Sequence, residues 1–290
     1  MGRMEPTPRK VTGAHGVPIH VLDWSADGVP LLMLHGFGNE AHIWDDFAPV
    51  VAPHYRTAAM DHRGHGDSGW DEEARYDHDA MVADVEAVTR ALGMERLVLI
   101  GHSLGGRIST LFAGRHPERI AGLVLVDIGP EVDARGRMRI RQDVESSVAP
   151  TFASVQEFAR ELSLAYPAGR PDALQRMALH SLRQRDDGRF ELKMDPALRG
   201  AMGSPESADD QAAREAEMEQ QLWDALAAIP CPTLVVRGAA SDILSPEVAD
   251  RMADDVLQDG RLAVVPQAGH SVMTDNPEGF RDAVADFVLA

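Results

Sequence analysis

The chain is poor in cysteine, in lysine and in long apolar runs. Cys231 is the single cysteine among 290 residues, which excludes an internal disulfide and any metal site built from several thiolates. It lies between Ile229-Pro230 and Pro232, ahead of an apolar run, the setting of a buried structural thiol. Lysine occurs only at Lys10 and Lys193, so arginine supplies nearly all the positive charge. With 46 acidic against 28 basic residues the net charge is −18. Such a balance excludes the clustered cations that nucleic acid or an anionic membrane surface requires, and a carboxylate ligand would need a local arginine. No run approaches the ~18 apolar residues of a membrane helix. Met1 to Lys10 is polar and lacks the apolar stretch of a signal peptide. Pro6 stands where myristoylation after Gly2 would need Ser or Thr. The expectation is a cytoplasmic protein without nucleic-acid or membrane partners; nothing in the sequence fixes its oligomeric state.

Hydrophobic residues make up 44% of the chain and come in short runs. Ile19 to Trp24, Leu31 to Leu34, Tyr55 to Met60, Leu97 to Ile100, Leu123 to Val126, Thr233 to Val236 and Leu262 to Val265 read as strands. Helical stretches fall between them. Tyr76 to Leu92 repeats Met81, Val82, Val85, Val88 and Leu92 at helical spacing and stops at Gly93. Arg107 to Arg115, Pro246 to Leu257 and Gly279 to Val288 are the others. Continuous Val/Leu/Ile runs separated by helices predict an α/β fold, a mostly parallel central sheet covered on both faces. Ligands of such sheets sit beyond the carboxyl ends of the strands. From Pro130 to about Gln220 no comparable run occurs. That region is charged, with helical periodicity, turns at Pro167, Pro171 and Gly200 to Pro205, and a solvated helix face from Asp209 to Glu219. The expected organisation is a core in two pieces, 1–130 and 221–290, around a helical insert, 131–220.

The sharpest local signal is Gly101-His102-Ser103-Leu104-Gly105, directly behind Leu97-Val98-Leu99-Ile100. Small residues on both sides of a serine let a strand turn tightly into a helix with the hydroxyl at the apex, over the sheet edge. A serine attacks only when a base takes its proton, and the base needs a carboxylate to fix its tautomer. Among 12 histidines, His270 follows the last strand run in Gly269-His270-Ser271, at a free loop tip. His35, His62, His65 and His102 sit inside tight glycine turns and read as loop-building groups. Two aspartates compete for the acid. Asp242 follows the strand at Thr233 to Arg237 and is preferred; Asp127, after Leu123 to Val126, is the alternative. An oxyanion needs fixed donors, which the N–H of Leu104 and that of Phe37, in His35-Gly36-Phe37-Gly38, are placed to supply. Arg107 and Trp44 are candidate substrate contacts, although a salt-bridged structural arginine is the preferred reading of Arg107.

His35-Gly-Phe-Gly38, Asp61-His-Arg-Gly-His-Gly-Asp-Ser68, Gly101-His-Ser-Leu-Gly-Gly106, Gly238 to Pro246 and Gly269-His270 together resemble the α/β-hydrolase superfamily over both core pieces. The resemblance implies Ser103 as nucleophile, Asp242 as acid, His270 as base, the Phe37 and Leu104 amides as oxyanion hole, a structural role for Asp61 to Ser68, and a helical cap at the insert. It implies no cofactor and no metal. A serine at position 103 departs from dehalogenase and epoxide-hydrolase relatives, which carry aspartate there. His102 and Phe37-Gly38-Asn39-Glu40 depart from carbon–carbon hydrolases, and Gly38 departs from perhydrolases. The expected activity is hydrolysis of a small ester, lactone or related acyl substrate through an acyl-enzyme. Carbon–carbon cleavage of a diketone, and a ligand-binding receptor on the same scaffold, are the alternatives.

Overall fold

The computed structural model describes residues 4–145, 151–198 and 208–289. Eight strands form the main sheet: β1 (Thr7–Thr12), β2 (Pro18–Asp23), β3 (Val29–Leu34), β4 (Tyr55–Met60), β5 (Leu97–His102), β6 (Ile120–Val126), β10 (Thr233–Gly238) and β11 (Gly260–Val265), in the order β1-β2-β4-β3-β5-β6-β10-β11. β2 pairs antiparallel with both β1 and β4; every other pairing is parallel. The apolar runs predicted seven of these strands. β1 has no such signature, because it is an edge strand whose residues are exposed or nearly so.

Each parallel strand returns through a helix. The helices, in chain order, are α1 (Ala48–Val51), α2 (His78–Ala91), α3 (Leu104–Arg115), α4 (Ala134–Glu145), α5 (Val155–Ala165), α6 (Pro171–Ser181), α7 (Ala208–Ala227), α8 (Pro246–Asp250), α9 (Val272–Asp275) and α10 (Pro277–Val288). Asp77 caps α2 by accepting from the Ala80 N–H at 2.8 Å, and Gly93 ends it at φ 64°, the left-handed turn that glycine adopts without strain. The helix expected over Pro246 to Leu257 divides into α8 and a π-helical turn, Arg251–Val256. Two apolar layers sandwich the sheet. One holds Leu32, Leu34, Val85, Leu99, Ile108 and Phe112; the other holds Leu31, Met33, Trp44, Ile100, Val236 and Phe280.

Residues 131–220 give the main sheet no strand among those described. Beyond the helices expected of this insert, they contain a small antiparallel sheet of β7 (Thr151–Phe152), β8 (Leu182–Gln184) and β9 (Phe190–Leu192), in the order β7-β9-β8. β8 and β9 are joined by a turn closed by the Arg185 N–H on the Arg189 carbonyl at 2.8 Å, with Gly188 at φ 81°. Asp187-Gly188 is a hairpin signal, but three-residue strands are too short to show alternation. The turn expected at Gly200 to Pro205 and the start of the solvated face at Asp209 lie outside the described residues or side chains. Described residues further along that face, from Glu215 to Glu217, are exposed.

Insert and core meet through the loops that follow the carboxyl ends of the strands. Arg176 of α6 pairs with Asp46, the Asp195 N–H donates to the Gly64 carbonyl at 2.8 Å, and Lys193 pairs with Asp67 at 2.8 Å. The Arg170 N–H donates to the Thr274 carbonyl at 3.2 Å. No helix among the described residues is long and apolar enough to cross a membrane.

Candidate active site

Ser103 joins β5 to α3 with φ 51° and ψ −117°, a conformation that L-residues avoid and that persists only where the surroundings enforce it. The enforcement is visible in the neighbouring glycines. A Cβ at Gly101 would lie 2.4 Å from the Gly105 carbonyl oxygen and from Ser109 Oγ, and one at Gly105 would lie 2.4 Å from the Leu34 carbonyl oxygen. Helix and strands therefore approach more closely than any side chain permits, and the serine is held at the apex.

His270, in the loop after β11, places Nε2 3.0 Å from Ser103 Oγ. Its Nδ1 lies 2.8 Å from Asp127 Oδ2. With Nδ1–H donating to the carboxylate, Nε2 is the free acceptor facing the hydroxyl. The sequence-based preference for Asp242 is therefore corrected: the carboxylate on His270 belongs to Asp127. Asp242 instead forms a bidentate pair with Arg139 of α4, at 2.7 and 3.0 Å, and that guanidinium holds its carboxyl below the usual range.

Asp127 is fully buried, at φ 51°. Its Oδ1 accepts the Gly238 N–H at 2.9 Å and its Oδ2 accepts Ser241 Oγ–H at 2.5 Å, besides His270. The loop after β10, expected to supply an acceptor through Asp242, supplies donors through Gly238 and Ser241. Sequence reasoning missed both. The only signal was their position in the Gly238 to Pro246 segment.

The turn after β3 packs directly on this serine. A Cβ at Gly36 would lie 2.7 Å from His102 Nδ1 and 3.1 Å from Ser103 Cβ, and the Gly105 N–H donates to the His35 carbonyl at 3.1 Å. Neither the Phe37 N–H nor the Leu104 N–H donates to an acceptor among the described residues. Leu104 opens α3, where N–H groups have no partner within the helix.

The other histidines near strand ends are buried and bonded into loops, as expected. His35 holds the Gly36 carbonyl through Nδ1 at 2.7 Å and accepts the His62 N–H at Nε2. His65 Nδ1 donates to the Arg63 carbonyl at 3.1 Å, and burial pushes its pKa down to about 3. His102 donates from Nε2 to the His270 carbonyl at 3.0 Å. Burial, then the neighbouring His270, pushes it well below its ordinary value. It stays neutral and anchors the backbone of the loop that carries His270.

Two expected substrate contacts fall elsewhere. Trp44 has no exposed surface and packs in the core against Phe280, 6.0 Å between ring centroids, because the turn after β3 folds back onto the sheet. Arg107 lines a small cavity with Thr110, Ile128, Leu222 and Met252. It lies near Glu219 and Glu215 of α7, while burial lowers its proton affinity. Among the described residues its side chain makes no hydrogen bond or ion pair with Ser103, His270 or Asp127.

The mostly parallel sheet flanked by helices agrees with the family comparison: the alpha/beta hydrolase fold family matches residues 29–277, and the chain belongs to it. An esterase of Mycobacterium tuberculosis is 27% identical over 271 residues, covering 92% of this chain and 85% of its own. A 2-hydroxymuconate semialdehyde hydrolase of a Pseudomonas species is 28% identical over 286 residues, covering 95% and 92%. Among solved structures, an alpha/beta hydrolase from Novosphingobium aromaticivorans superposes with TM-score 0.83 at 31% identity, covering 99% of both chains.

Proposed function

We propose that this protein is a serine hydrolase of small carboxylic esters or related acyl compounds, working through an acyl-enzyme. One observation carries the reading: the unbroken series Asp127 Oδ2, His270 Nδ1, His270 Nε2, Ser103 Oγ, at 2.8 and 3.0 Å. Ser103 Oγ attacks the carbonyl carbon while its proton passes to His270 Nε2. Asp127 keeps the imidazole in the productive tautomer and stabilises the imidazolium. The Phe37 and Leu104 amides receive the negative charge that develops on the carbonyl oxygen. His270 then gives its proton to the departing alcohol. In the second half it takes a proton from water as the water oxygen attacks the acyl carbon, and returns that proton to Ser103 Oγ as the acyl C–Oγ bond breaks, releasing the acid. This chemistry draws on no cofactor.

The reading extends to residues 131–220 as a cap over the sheet's carboxyl edge. Its support is that the insert touches loops after β3, β4, β10 and β11, the rim where ligands of parallel sheets lie. A small molecule is the partner this site takes, and a cytoplasmic address suits the composition.

Ser103→Ala is expected to lower kcat on p-nitrophenyl butyrate by at least about a thousandfold. Turnover within tenfold of the parent would remove Ser103 as nucleophile. The likeness to a semialdehyde hydrolase favours carbon–carbon cleavage as a second reading, and side-by-side rates on a vinylogous diketone and a simple ester separate the two. A receptor would instead retain its ligand with negligible turnover.

A further inference from the structure

His42, Asp45 and His180 lie at the junction of the core and the insert, and their ligand atoms all lie within 4.8 Å of one another. His42 and Asp45 belong to the turn that follows Glu40, and His180 comes from the last turn of α6. The two imidazoles stack face to face, 3.5 Å between centroids and 19° from parallel. Both His42 and Asp45 are largely buried, yet their contact is slack: Nδ1 sits 3.2 Å from each carboxylate oxygen, where a charge-assisted hydrogen bond would close to about 2.8 Å. Neither nitrogen of His180, nor Nε2 of His42, has a hydrogen-bond partner among the described residues. The contrast with the second cluster of this kind, His20, Asp61 and Asp67, is chemical. There the Asp61 carboxylate already accepts from the Ala41 N–H, the Asp67 N–H and His20 at 2.7 to 2.9 Å, and the Asp67 carboxylate is paired with Lys193 at 2.8 Å.

We propose that His42, Asp45 and His180 form a binding site for a divalent transition-metal ion, of the zinc class, that bridges the core to helix α6. Two imidazole nitrogens and one carboxylate oxygen suit zinc, copper or nickel, and not magnesium or calcium, which ask for oxygen alone. The open fourth position goes to water. Binding needs the ring stack to open. His180, which no hydrogen bond holds, turns about its Cβ–Cγ bond to bring its nitrogen within the ~2.0–2.1 Å of a zinc–imidazole bond. The ion then fastens α6 to the turn after β3 beside the Arg176–Asp46 pair.

The test uses the full chain without an affinity tag, treated with chelator and titrated with zinc chloride alone, by calorimetry and by thermal melting. The parent is expected to bind one zinc per chain. At about a hundredfold excess over the dissociation constant its melting temperature rises by about 5 °C. His180→Phe keeps a ring stacked on His42 without a ligand, and Asp45→Asn keeps the shape without the charge. Each is expected to melt like the parent in chelator and to bind zinc at least about tenfold more weakly. Unchanged zinc affinity in both variants would overturn the assignment, as would magnesium stabilising the parent as strongly as zinc. Loss of ester hydrolysis in Ser103→Ala bears on the other site and leaves this result unaffected.

Discussion

Asp127 and Asp242 show what a single carboxylate's surroundings decide. The first is buried with three donors, His270 among them; the second is partly exposed on Arg139. Asp127→Asn keeps the shape, and asparagine tolerates the positive φ, but it favours the wrong imidazole tautomer. It is expected to reduce kcat by about 10⁴-fold with little change in KM. Asp242→Asn is expected to leave kcat within threefold, and the opposite ranking would return the acid to Asp242. The sequence could not separate them. Both follow apolar strands, and both stand between Ser103 and His270 in the chain. β6 and β10 are also sheet neighbours, with Val126 opposite Val236, so both aspartates emerge on the same rim. What decided between them was Arg139, 103 positions from Asp242, and the Ser241 hydroxyl. Ser103 and His270 were legible because their glycine contexts encode a local geometry. Trp44 was misplaced because nothing local tells whether a loop folds outward or back onto the sheet.

Elements were legible to the degree that burial wrote a period into them. The inner strands, buried on both faces, are plain apolar runs. β1 and the three strands of the insert lack that imprint because they are exposed or only two to three residues long. The loop from Asp61 to Ser68, read as structural, is held by an arginine with no exposure. Arg63 grips Asp84 through two nitrogens at 2.6 and 2.8 Å, reaches Asp71 at 3.1 Å, and donates to the Arg75 and Ala14 carbonyls. It thereby ties the loop after β4 to α2 and to the turn after β1. Removing the cation leaves the buried Asp84 carboxylate with the Ala14 N–H alone and Asp71 with Arg75. Arg63→Ala is expected to destabilise the fold by about 3–5 kcal/mol, read as a lowered urea midpoint. Arg63→Lys recovers little, since an ammonium cannot hold Asp84 with two nitrogens. A loss under about 1 kcal/mol would mean the network contributes no cohesion.

At the scale of the whole molecule, the interior is rich in uncharged imidazole. His35, His62, His65 and His102 are buried, and burial is the main cause that lowers each below its ordinary 6.5. Unfolded, each takes up a proton as pH falls below about 6.5; folded, it does so only at lower pH. The unfolded state binds more protons in that window, so stability declines as pH drops. Each histidine contributes up to about 1.4 kcal/mol per pH unit. Glu40 works in the opposite sense, because burial and the nearby Asp61 raise its carboxyl well above the usual value, as burial raises Asp84 and Asp275; His78 and His180, each lowered to about 4, add to the first effect. Urea titrations are expected to show a net loss of about 3–6 kcal/mol between pH 7 and pH 5. A flat profile over that range would mean the imidazoles gain protons without unfolding.

The strand order has a further consequence. Every strand flanking Ser103, Asp127 and His270 pairs without help from residues 131–220, and that segment leaves the sheet just past Asp127 and returns at β10. Under the proposed function, the reacting groups and the cap over them are thus carried on separable lengths of polymer. One can drift or be exchanged between related chains while the other keeps its register, so a lineage can change its diet without rebuilding its teeth.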